Sequence, residues 1–337
     1  MAVDLSVLVV TCNRPEKLRR VLQDLGRQSL APERFEVLVG DDGSETPAEQ
    51  ALQGLELRCP VEVVRGPRRG PAAARNRGLE RVRAPLVLFL NDDLWLEPDL
   101  LEAHLHIQAR LERPTAILGT FEFTPPIRMQ PLNRLAEEVG MFGTAHLPAG
   151  MLLGPLAWCT GNLCVPSAEV HSVRGFDEAF PDPAGEDLDL GYRLRQQRGV
   201  RLMLSRRPRA WHDHPHGVGT WRERWQMWGR AFWRLACKHG DAMFVPGGAA
   251  NLDLAQAAVA LARLEAQAPL AEELMDWLER LVEGPVPSGS VEVAALGRSF
   301  RLPEEAEALM RAGLGMNVVF IARSYLEAAL RGQTSRP

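Results

Sequence analysis

Val3–Ser44 reads VDLSVLVVTCNRPEKLRRVLQDLGRQSLAPERFEVLVGDDGS. Val3 to Val10 is a nearly unbroken apolar run rich in β-branched residues, the pattern of a strand buried on both faces. Asn13-Arg14-Pro15 supplies a turn and a helix start, because proline's fixed φ suits the first helical position. Glu16 to Gln28 then carries Leu18, Val21, Leu22 and Leu25 at helical spacing. Phe35 to Val39 is a second buried strand, stopped by Gly40-Asp41-Asp42-Gly43-Ser44. A strand, a crossover helix and a second strand make a parallel pair.

The alternation continues downstream. Thr46 to Leu55 reads as helical and Val61 to Val64 as a third strand; the glycine- and arginine-rich loop Gly66–Gly70 leads into a helix through Arg75 and Asn76. Pro85 precedes a fourth strand, Leu86 to Leu90, which ends at Asn91-Asp92-Asp93. This pattern predicts an α/β fold, a Rossmann-like, mostly parallel, doubly wound sheet flanked by helices. In such sheets ligands lie beyond the carboxyl ends of the strands, where the unusual polar residues of this chain fall.

Further on, Trp158 to Val165 is expected as a strand, Glu186 to Gln197 as a helix stopped by Gly199, and Arg201 to Leu204 as a short strand. Trp221 to Lys238 reads as a helix whose Trp221, Trp225, Trp228 and Phe232 form one stripe, expected to pack in a core. Residues 113–155, rich in Pro and Gly, resist assignment. After Pro246 the chain turns Ala-, Leu- and Glu-rich to about residue 283; a linker at Gly284–Gly289 and a last helical stretch, Glu304–Leu330, follow. The expected organisation is a catalytic α/β domain over 1–240 and a helical C-terminal extension over 241–337.

The 337 residues are 46% hydrophobic and 24% charged with a net charge of −4, which is ordinary for a globular protein. That balance lacks the basic excess of a nucleic-acid binder and the acidic run of a disordered tail, so no nucleic-acid partner is expected. Five cysteines without a CxxC pair suit reduced thiols in the cytoplasm. The N-terminus runs straight into a strand without signal-peptide features, and no apolar run approaches the ~20 residues that span a bilayer. A cytoplasmic location is expected, and peripheral attachment at the inner face of a membrane is compatible with it. The C-terminal helices would suit either homodimerisation or covering of an acceptor cleft.

Adjacent carboxylates such as Asp92 and Asp93 repel unless a cation or water screens them. Magnesium and manganese accept one or two protein carboxylates and complete their shells with water and substrate phosphates. A solvated turn or a cap would also account for the pair. Asp41-Asp42 repeats the arrangement at the end of the second strand, and Arg75 and Asn76 start a helix beside the flexible loop, a suitable place to meet an anion. Glu186 and Asp187 lie at a helix N-terminus, where the dipole favours carboxylates and an ionised one can accept a hydroxyl proton. Asp177 and Asp189 are expected only to cap and solvate. His212, His214 and His216 alternate and would share one face of an extended chain, with His212 the preferred contact to a metal or diphosphate.

Five stretches, VLVVTCNR (7–14), VGDDGS (39–44), GPAAARNRG (70–78), LNDD (90–93) and GFDEAFPDPAGEDLDLGYRL (175–194), occur in the order seen in family 2 glycosyltransferases, and the chain resembles them over about residues 3–235. The resemblance implies a GT-A fold and inverting transfer of a sugar from a nucleotide-sugar donor, a UDP-sugar in expectation, to a glycan, lipid-linked or small-molecule acceptor. It implies Asp42 at the nucleobase, with Thr11, Asn13 and Arg75 near the nucleoside. Arg14 and Asn76 are assigned to the same donor-binding set. Asp92 falls near ribose and diphosphate, Asp93 at a divalent cation (Mn2+ or Mg2+) with His212, which His214 matches almost as well, and Asp187 as general base with Glu186 beside it. Two departures stand out: Asn91 replaces a first carboxylate of the metal motif, and Arg222-Glu223-Arg224-Trp225 only echoes the QxxRW signature of processive synthases. A non-processive enzyme fits better. Rival readings are a binding protein without turnover, a nucleotidyltransferase, which would want a lysine-bearing phosphate loop where only Lys17 stands, and a zinc hydrolase built on the histidines.

Overall fold

A computed structural model describes residues 3–138, 143–144, 147, 149–244, 291–295, 298–302 and 317–334. In chain order the strands are β1 (Leu5–Thr11), β2 (Phe35–Asp41), β3 (Val61–Arg65), β4 (Leu86–Asn91), β5 (Leu94–Leu96), β6 (Thr115–Phe123), β7 (Leu152–Leu153), β8 (Asn162–Pro166), β9 (Arg201–His212), β10 (Val291–Ala295) and β11 (Arg298–Leu302). The α-helices are α1 (Pro15–Leu25), α2 (Pro71–Leu79), α3 (Leu100–Gln108), α4 (Pro125–Arg128), α5 (Pro131–Glu138), α6 (Ser167–Ser172), α7 (Glu186–Arg198), α8 (Val218–His239) and α9 (Asn317–Thr334). Two compact units emerge, residues 1–125 with 137–214, and residues 126–136 with 215–337.

The first unit is built on one sheet in the order β3-β2-β1-β4-β8-β6-β9-β5, with β7 on β9. Strands β1 to β4 run parallel, whereas β8 is antiparallel to β4 and to β6, so the sheet is mixed. Leu5, Val7 and Val9 of β1 pack with Leu18, Val21, Leu22 and Leu25 of α1 and with Phe35, Val37 and Val39 of β2. That cluster is the helical stripe and the continuous strands of the sequence meeting in one core. Ser6, a buried polar residue of β1, donates to Glu36 Oε1 at 2.6 Å and accepts from the Ala84 N–H at 3.2 Å. Burial disfavours the Glu36 carboxylate, but hydrogen bonds from Arg83 and Ser6 outweigh it and hold the group below the ordinary carboxylate range.

Several local expectations change. Thr46–Leu55 contains only a 3-10 turn at Ala48–Leu52. The strand expected from Trp158 begins at Asn162, after a 3-10 turn at Pro155–Ala157. The short strand expected at Arg201–Leu204 extends over twelve residues to His212 because β6 and β5 both pair with it. Residues 113–155 hold β6, α4, α5 and β7.

In the second unit, Trp221 and Trp225 of α8 are buried, and Trp225 stacks on Phe320 of α9 with ring centroids 5.7 Å apart. Trp221 and Trp225 of the stripe are therefore core packing, whereas Trp228 and Phe232 are half-buried. Strands β10 and β11 pair as an antiparallel hairpin, so this part of the chain is not helical throughout. The Ala/Leu/Glu-rich stretch, the Gly284–Gly289 linker and residues 304–316 lie outside the described residues. No described helix is long and apolar enough to cross a membrane.

Candidate active site

Register brings the acidic strand ends together. In the parallel ladders Thr11 lies opposite Asp41, and Val10 opposite Asn91. Asp92 thereby falls beside Thr11, whose Oγ1 donates to its Oδ2 at 2.7 Å. Arg14 reaches across both carboxylates, with Nη1 at 3.3 Å from Asp92 Oδ1 and 3.0 Å from Asp93 Oδ2. Burial and the neighbouring Asp93 charge push Asp92 up to about 6, against the pull of Arg14.

Asp93 owes its surroundings to β5, which starts at the next residue and pairs Leu94 with His212. The Asp213 N–H donates to the Asp93 carbonyl at 2.7 Å, and His212 Nε2 stands 3.4 Å from Asp93 Oδ1. That oxygen is buried and accepts no hydrogen bond among the described residues. A carboxylate oxygen in this state, with an imidazole beside it, could accept a divalent ion. Among the described residues no group of three or more His, Cys, Asp or Glu forms a metal cage. Asp93 and His212 could supply at most two ligands, a number that Mn2+ and Mg2+ accept because they complete their shells with water and phosphate oxygens.

His212 ends β9, and the His214 ring lies edge-on to it at 6.0 Å. His216 belongs to the second unit, where its ring lies 4.8 Å from Trp221. The extended chain stops at His212, so strand alternation does not carry through to His216.

At the end of β2 the two aspartates divide their work. Asp41, fully buried, accepts from the N–H groups of Ser44 and Ala48 at 2.9 and 3.3 Å and shapes the turn. Asp42 accepts from the Arg69 and Gly70 amides at 3.0 and 2.9 Å, and Arg77 Nη2 approaches at 3.3 Å. Its carboxylate thus holds the glycine loop in place. Gly70 has φ +94°, and a Cβ there would come within 2.3 Å of the Pro181 carbonyl, so the loop and the 175–185 segment meet only because this residue is glycine. Asn13, also in the left-handed region at φ 55°, accepts from the Glu45 N–H at 2.7 Å and ties the end of β1 to the turn after β2.

The Glu186-Asp187 pair sits at the start of α7, after Gly185 in the left-handed conformation. Arg75 Nη1 donates to Glu186 Oε1 at 2.8 Å, and its guanidinium lies 5.3 Å from the Phe176 ring centroid. Glu186 Oε2 is buried without a hydrogen-bond partner among the described residues. Asp187 Oδ1 accepts from the Leu188 N–H at 2.8 Å. Burial and the Glu186 charge push Asp187 up to about 7, while Arg75 restrains the rise. Asn76 spends its amide on the backbone of Phe176, accepting at 2.8 Å and donating at 2.9 Å, which staples the 175–178 turn to α2. Asp189 is no solvated cap: it is fully buried and paired with Arg193 at 2.8 Å, and Arg193 in turn binds the Val173 and Gly175 carbonyls.

Residues 6–129 match the family model described as glycosyl transferase family 2. The chain belongs to this family. It is 33% identical over 239 residues to the validoxylamine A glucosyltransferase of Streptomyces hygroscopicus subsp. limoneus, covering 63% of this chain and 52% of that protein. To the pre-mycofactocin glycosyltransferase of Mycobacterium tuberculosis it is 30% identical over 255 residues, covering 73% of this chain and 51% of the other. This family 2 chain spans about half the length of these two relatives. The GT-A fold is shared with two solved proteins. The Pyrobaculum calidifontis mannosyltransferase in complex with GDP-Man and Mn2+ superposes with a TM-score of 0.55 at 18% identity, covering 99% of this chain and 88% of that one. S. aureus TarS 1-349 in complex with UDP gives 0.51 at 13% identity, over 99% and 92%.

Three interactions went unread in the sequence. Lys17 Nζ binds the Asp213 carbonyl and carboxylate at 2.5 and 2.6 Å, anchoring the segment after His212 to α1. Its being one of two lysines in the chain was the available signal. Arg77 on Asp42, and the glycine-loop amides on the same carboxylate, left no trace in spacing.

Proposed function

We propose that this chain is an inverting, non-processive glycosyltransferase that moves a sugar from a nucleoside-diphosphate donor, first of all a UDP-sugar, to a hydroxyl of a glycan, lipid-linked or small-molecule acceptor. The observation that carries this reading is Asp187. A half-buried carboxylate pushed up to about 7 by desolvation and the Glu186 charge, beside the Arg75–Glu186 pair, is matched to general-base work near neutral pH. Asp187 takes the proton of the acceptor hydroxyl as its oxygen attacks the anomeric carbon. The bond from that carbon to the diphosphate oxygen breaks on the opposite face, and the configuration inverts. Glu186 and Arg75 hold the base in position.

A Mn2+ or Mg2+ ion held by Asp93 and His212 would neutralise charge on the departing diphosphate. Arg14 and Asp92 adjoin the same diphosphate, and Thr11, Asn13, Arg75 and Asn76 belong to the nucleoside end. Asp42 serves the nucleobase by fixing the Arg69-Gly70 backbone. The relatives' names support sugar transfer, and the GDP-Man and UDP complexes of the structural neighbours support a nucleotide donor. In this reading the enzyme works in the cytoplasm, free or at the inner face of a membrane, and the C-terminal helices serve dimerisation or the acceptor.

The test is incubation with UDP- and GDP-sugars, Mn2+ and a mixed acceptor panel, watching for free nucleoside diphosphate. Release that needs acceptor and vanishes in Asp187→Asn supports the reading; no release with any donor, despite nucleotide binding, would leave a binding protein.

A further inference from the structure

The β6–β9 ladder changes register in mid-strand. Leu118 pairs with Leu204, but Thr120, two residues on, pairs with Arg209, five residues on. Strand β9 therefore bulges at the segment containing Pro208, which has no N–H to give the ladder. Asn162 fills the gap. A Cβ on Gly119 would lie 2.2 Å from Asn162 Nδ2. That nitrogen donates to the Thr120 carbonyl at 3.1 Å and to the Pro208 carbonyl at 3.2 Å, one on each strand. With the amide nitrogen committed to two carbonyls, Oδ1 faces His104 Nε2 at 2.8 Å, so Nε2 carries the proton. Both side chains are fully buried, and burial pulls His104 down to about 4, so its ring is neutral at physiological pH.

We propose that Asn162, oriented by His104, is a register lock that places His212 against Asp93. Downstream of the bulge the pairing runs from Thr120 with Arg209 to Phe123 with His212, and Leu94 pairs with His212 on the other side. Side chains alternate faces along a strand, so a slip of one residue turns His212 to the opposite face and removes it from Asp93. Trp211 Nε1 donating to Glu97 at 2.8 Å fixes the far edge of β9, but it sits beyond the bulge and cannot decide how many residues the bulge absorbs. Asn162 touches both strands at that point. His104 and Asn162 are positioning residues. The consequence for catalysis rests on the transferase reading, whereas the placement of His212 does not.

The test uses the full chain labelled with 15N-histidine and reads the ring resonance of His212, identified by its loss in His212→Gln, without metal or donor. Asn162→Ala and His104→Leu should move that resonance, and His104→Gln, which keeps a donor near Nε2, should restore it. An unmoved His212 signal in folded Asn162→Ala overturns the lock. If that variant does not fold, the His104 pair decides, because identical His212 spectra in His104→Leu and His104→Gln overturn it equally. With Mn2+ added, His212→Gln should weaken binding several-fold in the wild-type background and hardly at all in Asn162→Ala; equal losses in both contradict the coupling. Failure of the wild-type chain to bind Mn2+ would strike the metal reading alone and leave the resonance test standing.

Discussion

Arg75 donates to Glu186 across 111 residues of chain at 2.8 Å, with both side chains more than nine-tenths buried. The pair pins the first turn of α7 to α2 and sets the charge next to Asp187. Replacing Arg75 with Met would leave a buried carboxylate uncompensated, at a cost of ~3–5 kcal/mol by analogy with broken buried pairs. It would also remove the positive charge that restrains Asp187, raising that group further. Urea denaturation should show the loss. Where activity survives, its acidic limb should move to higher pH, and an unmoved limb would separate Arg75 from the base.

Asp187 must be ionised to take a proton. Activity should therefore fall as pH drops through about 7, tenfold per unit below it in kcat/KM. Asp187→Asn keeps the shape and cannot accept the proton. Turnover should drop by roughly 10²–10⁴-fold, the usual worth of a general base, with donor binding by calorimetry unchanged. Near-normal turnover in this variant would remove Asp187 from the mechanism.

The same residue makes a stability prediction of opposite benefit. A carboxyl raised from 3.8 to about 7 by folding stabilises the fold at low pH, and that contribution is lost as pH rises through about 7. Asp187→Asn is spared the loss, so it should melt higher than wild type at pH 8. The difference should close towards pH 4, where the wild-type group is protonated in the folded state. Each kcal/mol recovered is worth ~2–4 °C in a domain of this size. Equal melting temperatures at pH 8 would show that the charge is better solvated than its surroundings indicate.

Much of this site is visible in the sequence because strand ends announce themselves. The apolar runs ending at Thr11, Asp41 and Asn91 give the sheet, and parallel pairing forces their polar ends to one edge. What local pattern does not show is which distant segments meet. His212 meets Asp93 only because β9 runs on past Leu204 and bulges, and no local pattern encodes a bulge set by Asn162. Asp42 and Asn76 show their chemistry at a strand end and a helix start, but the backbone groups they bind, at Arg69-Gly70 and Phe176, leave no local signal. Asp189 looked solvated, although the arginine four residues on had already matched it at helical spacing.

Asp93 carries the cation hypothesis. Asp93→Ala removes the buried Oδ1 and the acceptor of Arg14, so donor binding should lose its dependence on Mn2+, while whatever affinity comes from the nucleoside end remains. Nucleoside diphosphate titrations with and without Mn2+ read this directly. His212→Gln should give a smaller loss in the same direction. Manganese dependence unchanged in Asp93→Ala would place the ion elsewhere or remove it from donor binding.

Two glycines of α8 offer a matched test of how tightly the second unit is packed. A Cβ on Gly229 would stand 2.3 Å from the Ile321 carbonyl oxygen and 2.9 Å from the Tyr325 nitrogen, both backbone atoms of α9. Backbone yields little, so overpacking there costs typically ~1–3 kcal/mol. Alanine's helix propensity returns at most ~1 kcal/mol, and the clash prevails. A Cβ on Gly219, at the start of the same helix, would meet nothing within 4 Å. Gly219→Ala should therefore raise the melting temperature slightly and Gly229→Ala should lower it. If both variants gain stability alike, α8 and α9 do not meet closely at Gly229.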